Sequence, residues 1–273
     1  MEQENSQDDK KSFEQYLEEA EQGDARSQCE LGWFYLKGEG VPKNESIAAK
    51  WYQKAAEQGI SKAQYNLALM YFEGDGVHQD YEKAVEWYQK AAEQDHCSAQ
   101  YQLATMYDRG LGIAKDYEKA VEWYRKAAEQ GDAGAQSNLG SMYDNGQGVV
   151  QDYERAVEWY RKAAEQGDAG AQYLLGLLYE DGEGVSQDSE KAAHWIMKAA
   201  EQGDVDAQSS LGSRYVQGRG VAKNYFEAYK WLRLTKASEG KERTNLINLI
   251  EDTLSSSQIK EVDNWVSNWK PKE

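Results

Sequence analysis

One period of 36 residues runs through most of this sequence. Six tryptophans recur at that step, at Trp51, Trp87, Trp123, Trp159, Trp195 and Trp231. Tyrosines follow the same step from Tyr35 onward, and two glycine series follow it from Gly38 and from Gly40. Four residue series in a single phase do not arise by chance. A fixed step of this length predicts an array of repeated units, each of which buries its apolar face against its neighbours.

Each unit contains two short helical patterns. In the fourth unit, Ala135, Leu139 and Tyr143 are four residues apart and therefore share one face of a first helix. A second helix places Trp159 or Tyr160 on an apolar stripe together with recurring alanines. The chain has 9 tryptophans and 19 tyrosines but only 4 phenylalanines, and we interpret this excess as packing between helices.

Acidic and amide residues mark the expected helix starts, because their side-chain oxygens accept hydrogen bonds from free backbone N–H groups. The expected N-caps of the second helices are Asn44, Asp80, Asp116, Asp152, Asp188 and Asn224. Those of the first helices are Asp24, Asp132, Asp168 and Asp204. Glycines that can end the second helices in a left-handed conformation follow at Gly23, Gly59, Gly131, Gly167 and Gly203.

The charge balance limits the class of partner. Acidic residues outnumber basic ones by 48 to 31, and the resulting net charge of −17 disfavours nucleic acid or an anionic membrane surface. A basic protein or peptide would be attracted instead. No run of about 18 apolar residues is present, so we expect no membrane insertion. The polar start, residues 1–11, has no secretory pattern, and a cytoplasmic location is the expectation.

The repeated residues resemble a known family. The first helix and its turn carry Leu-Gly-x-x-Tyr-x-x-Gly-x-Gly-Val, and the second helix carries Asp-x-x-x-Ala-x-x-Trp-Tyr-x-Lys-Ala-Ala-x-x-Gly. Both are similar to the Sel1-like repeat, a relative of the tetratricopeptide repeat with a longer turn inside its hairpin. The resemblance implies an all-α, right-handed alpha-alpha superhelical solenoid. It also implies an adaptor, scaffold or regulator, because known members mostly hold other proteins or peptides.

The period divides the chain into a repeat array with a cap at each end. A polar tail and an N-terminal capping helix are expected over residues 1–23, and a C-terminal helical cap over residues 240–273. The six repeats in between span residues 24–59, 60–95, 96–131, 132–167, 168–203 and 204–239. Terminal repeats expose apolar surface that must be covered, which explains the amphipathic stretches near residues 246–250 and 259–269.

Residues with catalytic or metal-binding potential do not gather into a motif. The histidines His78, His96 and His194 occupy different registers, and no Cys/His pair has the spacing of a metal site. No nucleophile elbow and no phosphate-loop lysine are present. We therefore predict no catalytic residues, no cofactor and no metal.

The two cysteines, Cys29 and Cys97, lie two repeats apart. With packed helices 8–10 Å apart, this separation is roughly 20 Å or more, too far for a disulfide. Free thiols in a reducing compartment are expected. Some secreted Sel1-like proteins that bind or hydrolyse beta-lactams carry a cysteine pair in every repeat, and this sequence lacks that pattern.

Positions that differ between repeats are not dictated by packing. In the first helices, four such registers are offset by three and four residues and so form one stripe. In related solenoids the first helices line the concave surface, so the resemblance implies a partner-binding groove. Its predicted residues are Trp33, Tyr65, Asn66, Leu69, Phe72, Tyr101, Gln102, Asp108, Asn138, Asp144, Tyr173, Leu177 and Glu180. The alternative is that they are tolerated surface or, for the tyrosines, secondary packing.

These observations favour a non-catalytic protein-interaction scaffold or adaptor that binds a protein or peptide, basic or amphipathic in character, and that could be regulatory. A narrower version is an immunity or antitoxin protein that neutralises a toxin. From a different class, the alternative is an enzyme that binds or hydrolyses beta-lactam or cell-wall ligands. The oligomeric state and the identity of the partner are left open by the sequence.

Overall fold

The computed structural model describes residues 12–235 and 241–272, except for the side chains of residues 241–245. These residues form α-helices and no β-strand, which confirms the all-α class. The helices are α1 (Phe13–Glu21), α2 (Ala25–Lys37), α3 (Glu45–Glu57), α4 (Ser61–Glu73), α5 (Tyr81–Ala92), α6 (Cys97–Arg109), α7 (Tyr117–Glu129), α8 (Ala133–Asn145), α9 (Tyr153–Glu165), α10 (Ala169–Asp181), α11 (Ser189–Glu201), α12 (Val205–Gln217), α13 (Tyr225–Leu234), α14 (Lys241–Glu251) and α15 (Ser256–Asn268). None of these helices is long and apolar enough to cross a membrane.

The chain divides into two compact units. Unit 1 ends at Gln130 and contains α1 to α7, and unit 2 begins at Gly131 and contains α8 to α15. Within each unit, the two helices of a repeat pack against each other, and the second helix also packs against the first helix of the next repeat. A repeat that lies inside a unit is therefore covered on both sides by helices of that unit.

Capping chemistry sets the helix ends as the sequence predicts. All of the expected Asp and Asn N-caps accept a hydrogen bond from a backbone N–H three residues on, such as Asp24 from Ser27 at 2.7 Å. The glycines that follow the second helices have φ between +92° and +101°. The end of α5 departs from this pattern, because Asp95 takes the glycine register with φ +60°. His96 then caps α6 by accepting from the Ala99 N–H through Nδ1.

The largest buried ring of each early repeat is the tyrosine that follows the tryptophan. Tyr52 is 0 % exposed, and its ring lies so close to α2 that a Cβ added to Gly32 would be 2.6 Å from its Cδ1 atom. Trp51 is only half-buried, and the Lys54 ammonium lies 4.1 Å from its ring centroid. A lysine lies over the tryptophan in the same way in the next four repeats. The tryptophans therefore cover the repeat from outside, whereas the tyrosines fill its core.

Within each unit, a ladder of glutamine hydrogen bonds joins consecutive repeats. Gln28 donates to the Ala20 carbonyl at 3.1 Å, and Gln58 of the same repeat donates to the Gln28 side chain at 2.8 Å. The second type of bond recurs between the pairs Gln94–Gln64, Gln130–Gln100, Gln166–Gln136 and Gln202–Gln172. The first type of bond, such as that from Gln28 to Ala20, satisfies a backbone carbonyl at the end of a second helix that would otherwise be buried without a partner.

The C-terminal helices cover the last repeat of unit 2. Ile250 of α14 and Val262 of α15 are buried against α13. Ser255 starts α15 with a capping box to Gln258. Leu249 was expected on the apolar face of α14 but is 62 % exposed. Leu249 lies about 100° around the helix from the buried Ile250, so the two side chains cannot both face α13.

Candidate partner-binding surface

The predicted groove residues lie on the first helices of both units. We call them the unit 1 stripe, on α2, α4 and α6, and the unit 2 stripe, on α8 and α10. The unit 1 stripe consists of Trp33, Tyr65, Asn66, Leu69, Phe72, Tyr101, Gln102 and Asp108, and the unit 2 stripe of Asn138, Asp144, Tyr173, Leu177 and Glu180. All are half-buried except Glu180, so each one touches its own repeat and still presents part of its surface to solvent.

Aromatic side chains in the unit 1 stripe are held by ring contacts. The Tyr65 ring stacks on His96 with centroids 4.7 Å apart and tilts against Tyr88 at 5.8 Å. Tyr101 packs against Tyr124 at 5.9 Å. These rings have a packing role, as the sequence-based alternative proposed. Because they are only half-buried, they also form a rigid apolar surface of the kind that anchors a partner.

In the third and fourth repeats, the buried tyrosine of the second helix extends its hydroxyl toward the stripe. In the third repeat, the Tyr124 hydroxyl lies 3.1 Å from Thr105 Oγ1. In the fourth, the Tyr160 hydroxyl donates to Asp144 Oδ2 at 3.4 Å. The stripe registers of Thr105 and Asp144 are therefore directly above the core tyrosines. The hydroxyls of Tyr52 and Tyr88, in the first two repeats, have no hydrogen-bond partner among the described residues.

Asp144 is a half-buried carboxylate on the unit 2 stripe. Burial raises the pKa of Asp144 above its ordinary value, and the nearby Glu183 adds to the rise. The Gln151 amide fixes the turn beside it by donating to the Asp144 carbonyl at 2.7 Å and to the Tyr153 hydroxyl at 2.9 Å. A half-buried carboxylate whose charged form is disfavoured gains stability from an incoming cation.

A family model decides the classification. The model, described as Sel1 repeat, matches residues 25–60, 61–96, 97–132, 133–168, 169–204 and 205–236. The chain belongs to the Sel1 repeat family. The matched repeats begin one residue later than those read from the 36-residue period. The solenoid of six Sel1 repeats expected from the sequence is confirmed, and proteins of this family are in general protein-interaction scaffolds.

Solved structures of Sel1 repeat proteins share the fold. A Sel1 repeat protein from Oxalobacter formigenes is 40 % identical, with a TM-score of 0.73 over 80 % of this chain and 89 % of that one. A protective antigen of uropathogenic Escherichia coli is 28 % identical, with a TM-score of 0.53 over 95 % and 80 % of the two chains. An immunity protein from Pseudomonas aeruginosa is 26 % identical over 80 % of each chain, but its TM-score of 0.43 supports no further comparison. Comparison with curated proteins gives no match.

Glu180 does not present its carboxylate to solvent as the other stripe residues do. It is 5 % exposed, and Arg214 Nη2 lies 2.6 Å from its Oε2 atom. Arg219 pairs with the other carboxylate oxygen. This corrects the expectation that Glu180 is offered to a partner, because two guanidinium groups already hold the carboxylate inside the Sel1 repeats. The Arg214 register is occupied by methionine in the second to fourth repeats, at Met70, Met106 and Met142.

The C-terminal tryptophans surround a cavity of about 400 Å³ at the end of the Sel1 repeats. Trp265 packs edge-on against Trp231 with centroids 5.7 Å apart, and Trp269 lines the same cavity. The Lys230 ammonium lies 4.7 Å from the Trp265 centroid and pairs with Glu227 at 3.1 Å. The last repeat thus supplies a cation to an aromatic ring of the C-terminal cap that covers it.

The two cysteines lie in different environments. Cys29 is buried in the core of unit 1, whereas Cys97 is half-buried with its thiol directed at the Ala127 carbonyl at 3.7 Å. The two cysteines do not form a disulfide. Within the described part of the chain, no group of three or more His, Cys, Asp or Glu side chains is placed to hold a metal ion.

Proposed function

We propose that this Sel1 repeat protein is a cytoplasmic, non-catalytic scaffold that binds a protein or peptide segment along its first-helix stripes. The family supports protein binding in general. The position of the binding surface and the chemistry of the segment are the specific content of the proposal.

The observation that carries the proposal is the contrast between the residues that recur in every repeat and the stripe residues, which vary. Residues that recur every 36 positions are accounted for by caps, core tyrosines and the glutamine ladder. The stripe residues change from repeat to repeat, yet they are half-buried on ordered helices. A surface that is rigid, partly apolar and free to vary is suited to selective recognition.

Charge defines the partner more closely. The chain carries a net charge of −17, and Asp108 and Asp144 place carboxylates on the stripes themselves. A segment with basic residues is attracted over long range and discriminated at these positions. No contact among the described residues favours the immunity or the beta-lactam alternative over this proposal.

A random peptide library displayed on phage tests the proposal with a defined probe. We expect enrichment of peptides that combine apolar or aromatic residues with Lys or Arg. Their affinity, measured by fluorescence anisotropy, should fall at least tenfold for Trp33→Ala, because half-buried aromatic anchors carry more than about 1.4 kcal/mol of binding energy. Asp108→Lys tests the acidic position and should lower the affinity for the same peptides.

Matched controls come from the second helices. Glu122→Lys changes the net charge by the same amount as Asp108→Lys but lies exposed on α7. It should leave affinity within about twofold, since screening weakens charges on a remote face. Equal losses for the two variants would show only a long-range charge effect. Peptides that bind equally well to wild type and Trp33→Ala would place the binding surface elsewhere.

A further inference from the structure

The core tyrosine register shows three chemical arrangements in one chain. In the third and fourth repeats, tyrosine lies below a polar stripe residue and its hydroxyl is paired, as for Tyr124 with Thr105 and Tyr160 with Asp144. In the fifth repeat the core position is the fully buried Ile196, which has no hydroxyl, and Leu177 stands at the Thr105 register. Glu180, at the Asp144 register, is paired with Arg214 and Arg219 instead. In each of these repeats the core hydroxyl either has a partner or is absent.

The first two repeats break this pattern. Tyr52 and Tyr88 keep the hydroxyl, but the stripe residues at the Thr105 register are Trp33 and Leu69, which offer no acceptor. Leu36 and Phe72 stand at the Asp144 register and offer none either. Tyr52 is 0 % and Tyr88 is 1 % exposed, and neither hydroxyl has a partner among the described residues. A buried hydroxyl without a hydrogen bond lowers stability, so this arrangement destabilises the protein when no partner is bound.

The surroundings of the hydroxyls limit what can pair with them. Burial raises the pKa of both phenols, and the Glu30 carboxylate near Tyr52 and the Glu73 carboxylate near Tyr88 add to the rise. Both hydroxyls therefore remain protonated donors. An anionic acceptor would be repelled by those carboxylates, and a cationic group would lose its hydration among apolar stripe side chains. A neutral oxygen, such as that of an amide, satisfies both conditions.

We propose that the first two repeats receive an uncharged, apolar peptide stretch of the partner, whose amide carbonyl oxygens accept hydrogen bonds from Tyr52 and Tyr88. This inference rests on the proposed function and assigns one part of the partner to one part of the unit 1 stripe. The half-exposed side chains of Trp33 and Leu69 change rotamer to admit the peptide. The acidic position Asp108, in the third repeat, contacts a basic residue of the same segment.

Tyr→Phe substitutions test the inference in the free protein, since they remove one oxygen and keep the ring. Tyr52→Phe and Tyr88→Phe should leave the Tm unchanged or raise it, because they delete an unpaired buried group. Tyr124→Phe, the matched control in the same unit, should lower the Tm by about 2–4 °C, because it breaks a hydrogen bond. Equal losses of Tm for all three variants would mean that Tyr52 and Tyr88 are already paired, and would overturn the inference.

Affinity for the library-selected peptides supplies the second readout. Tyr52→Phe and Tyr88→Phe should each weaken binding about threefold to tenfold, the loss of one hydrogen bond, whereas Tyr124→Phe should leave it unchanged. If Trp33→Ala weakens binding but neither Tyr52→Phe nor Tyr88→Phe does, the hydroxyls do not contact the peptide and only this inference fails. If no peptide binds at all, the proposed function fails with it.

Discussion

The second glycine of each Gly-x-Gly turn offers a test of how repeats stack. Gly76 and Gly40 share this register and have nearly equal φ values of +69° and +70°. A Cβ added to Gly76 would lie 2.5 Å from the Glu45 carbonyl oxygen and 2.6 Å from the Ser46 nitrogen, at the start of α3. A Cβ added to Gly40 would meet nothing within 4 Å. The pair therefore separates backbone strain from a clash between repeats.

The expected magnitudes follow from these two contributions. Alanine in the left-handed region costs roughly 1–2 kcal/mol, and this applies to Gly40→Ala and Gly76→Ala alike. Only Gly76→Ala adds overpacking, roughly 1–3 kcal/mol, because the obstructing atoms belong to backbone that cannot rotate away. The substitution also strains the bond that the Ser46 hydroxyl donates to the Gly76 carbonyl at 3.0 Å. We therefore expect losses of about 1–2 kcal/mol for Gly40→Ala and about 2–5 kcal/mol for Gly76→Ala.

Urea unfolding followed by circular dichroism at a helix band measures the free energy of unfolding of both variants. Because repeat arrays can unfold in steps, hydrogen exchange of the α3 and α4 amides should accompany it. Gly76→Ala should accelerate exchange at the junction of the first and second repeats, whereas Gly40→Ala should not. Equal losses of unfolding free energy for the two variants would refute the stacking argument. They would mean that both positions require glycine only for its positive φ.

Three further predictions concern buried polar groups. Glu180→Leu leaves Arg214 buried without its partner and should cost about 3–5 kcal/mol in denaturant unfolding, and adding Arg214→Met should recover most of it; a double variant as unstable as the single one would contradict this. Burial lowers the pKa of His96 below 6.5, so the unfolded chain takes up the proton first and stability falls as pH drops through that value. His96→Asp should reduce the difference in Tm between pH 7.5 and pH 5.5, and an unchanged difference would count against the assignment. Burial raises the pKa of Cys29 to about 11, so a thiol reagent at pH 8 should modify Cys97 first and Cys29 only after unfolding. Rapid modification of both thiols in the folded protein would contradict this prediction.

Local chemistry made much of the fold predictable. Asp24 and Asp80 cap helices because their carboxylates accept hydrogen bonds from the free backbone N–H groups of the first turn. Gly23 ends a helix because glycine alone tolerates φ near +100°. The glutamine ladder was missed, although its Gln28 register recurs in all six repeats and its Gln58 register in the first five. Its signal was the period itself: a polar residue that never varies is not merely tolerated on a surface.

Contacts between helices that are distant in sequence could not be predicted from the residue pattern. The pattern left Trp159 and Tyr160 as equal candidates for the core, and only the approach of the first helix at Gly140 decides for the tyrosine. Glu180 looked like a solvent-exposed carboxylate, because its partner Arg214 lies one repeat away in a register that is otherwise apolar. Charged residues are exposed by default, and a specific pairing across helices overrides that default.

Hydroxyl-radical footprinting of aromatic side chains tests the central claim most directly, because this chain carries half-buried rings on both kinds of helix. A saturating selected peptide should lower the oxidation of Trp33, Tyr65 and Tyr101 on the first helices. It should leave Trp51 and Trp87 on the second helices oxidised at the rate of the free protein. Protection of the second-helix tryptophans, with the first-helix rings unchanged, would contradict the assignment of the stripes as the binding surface.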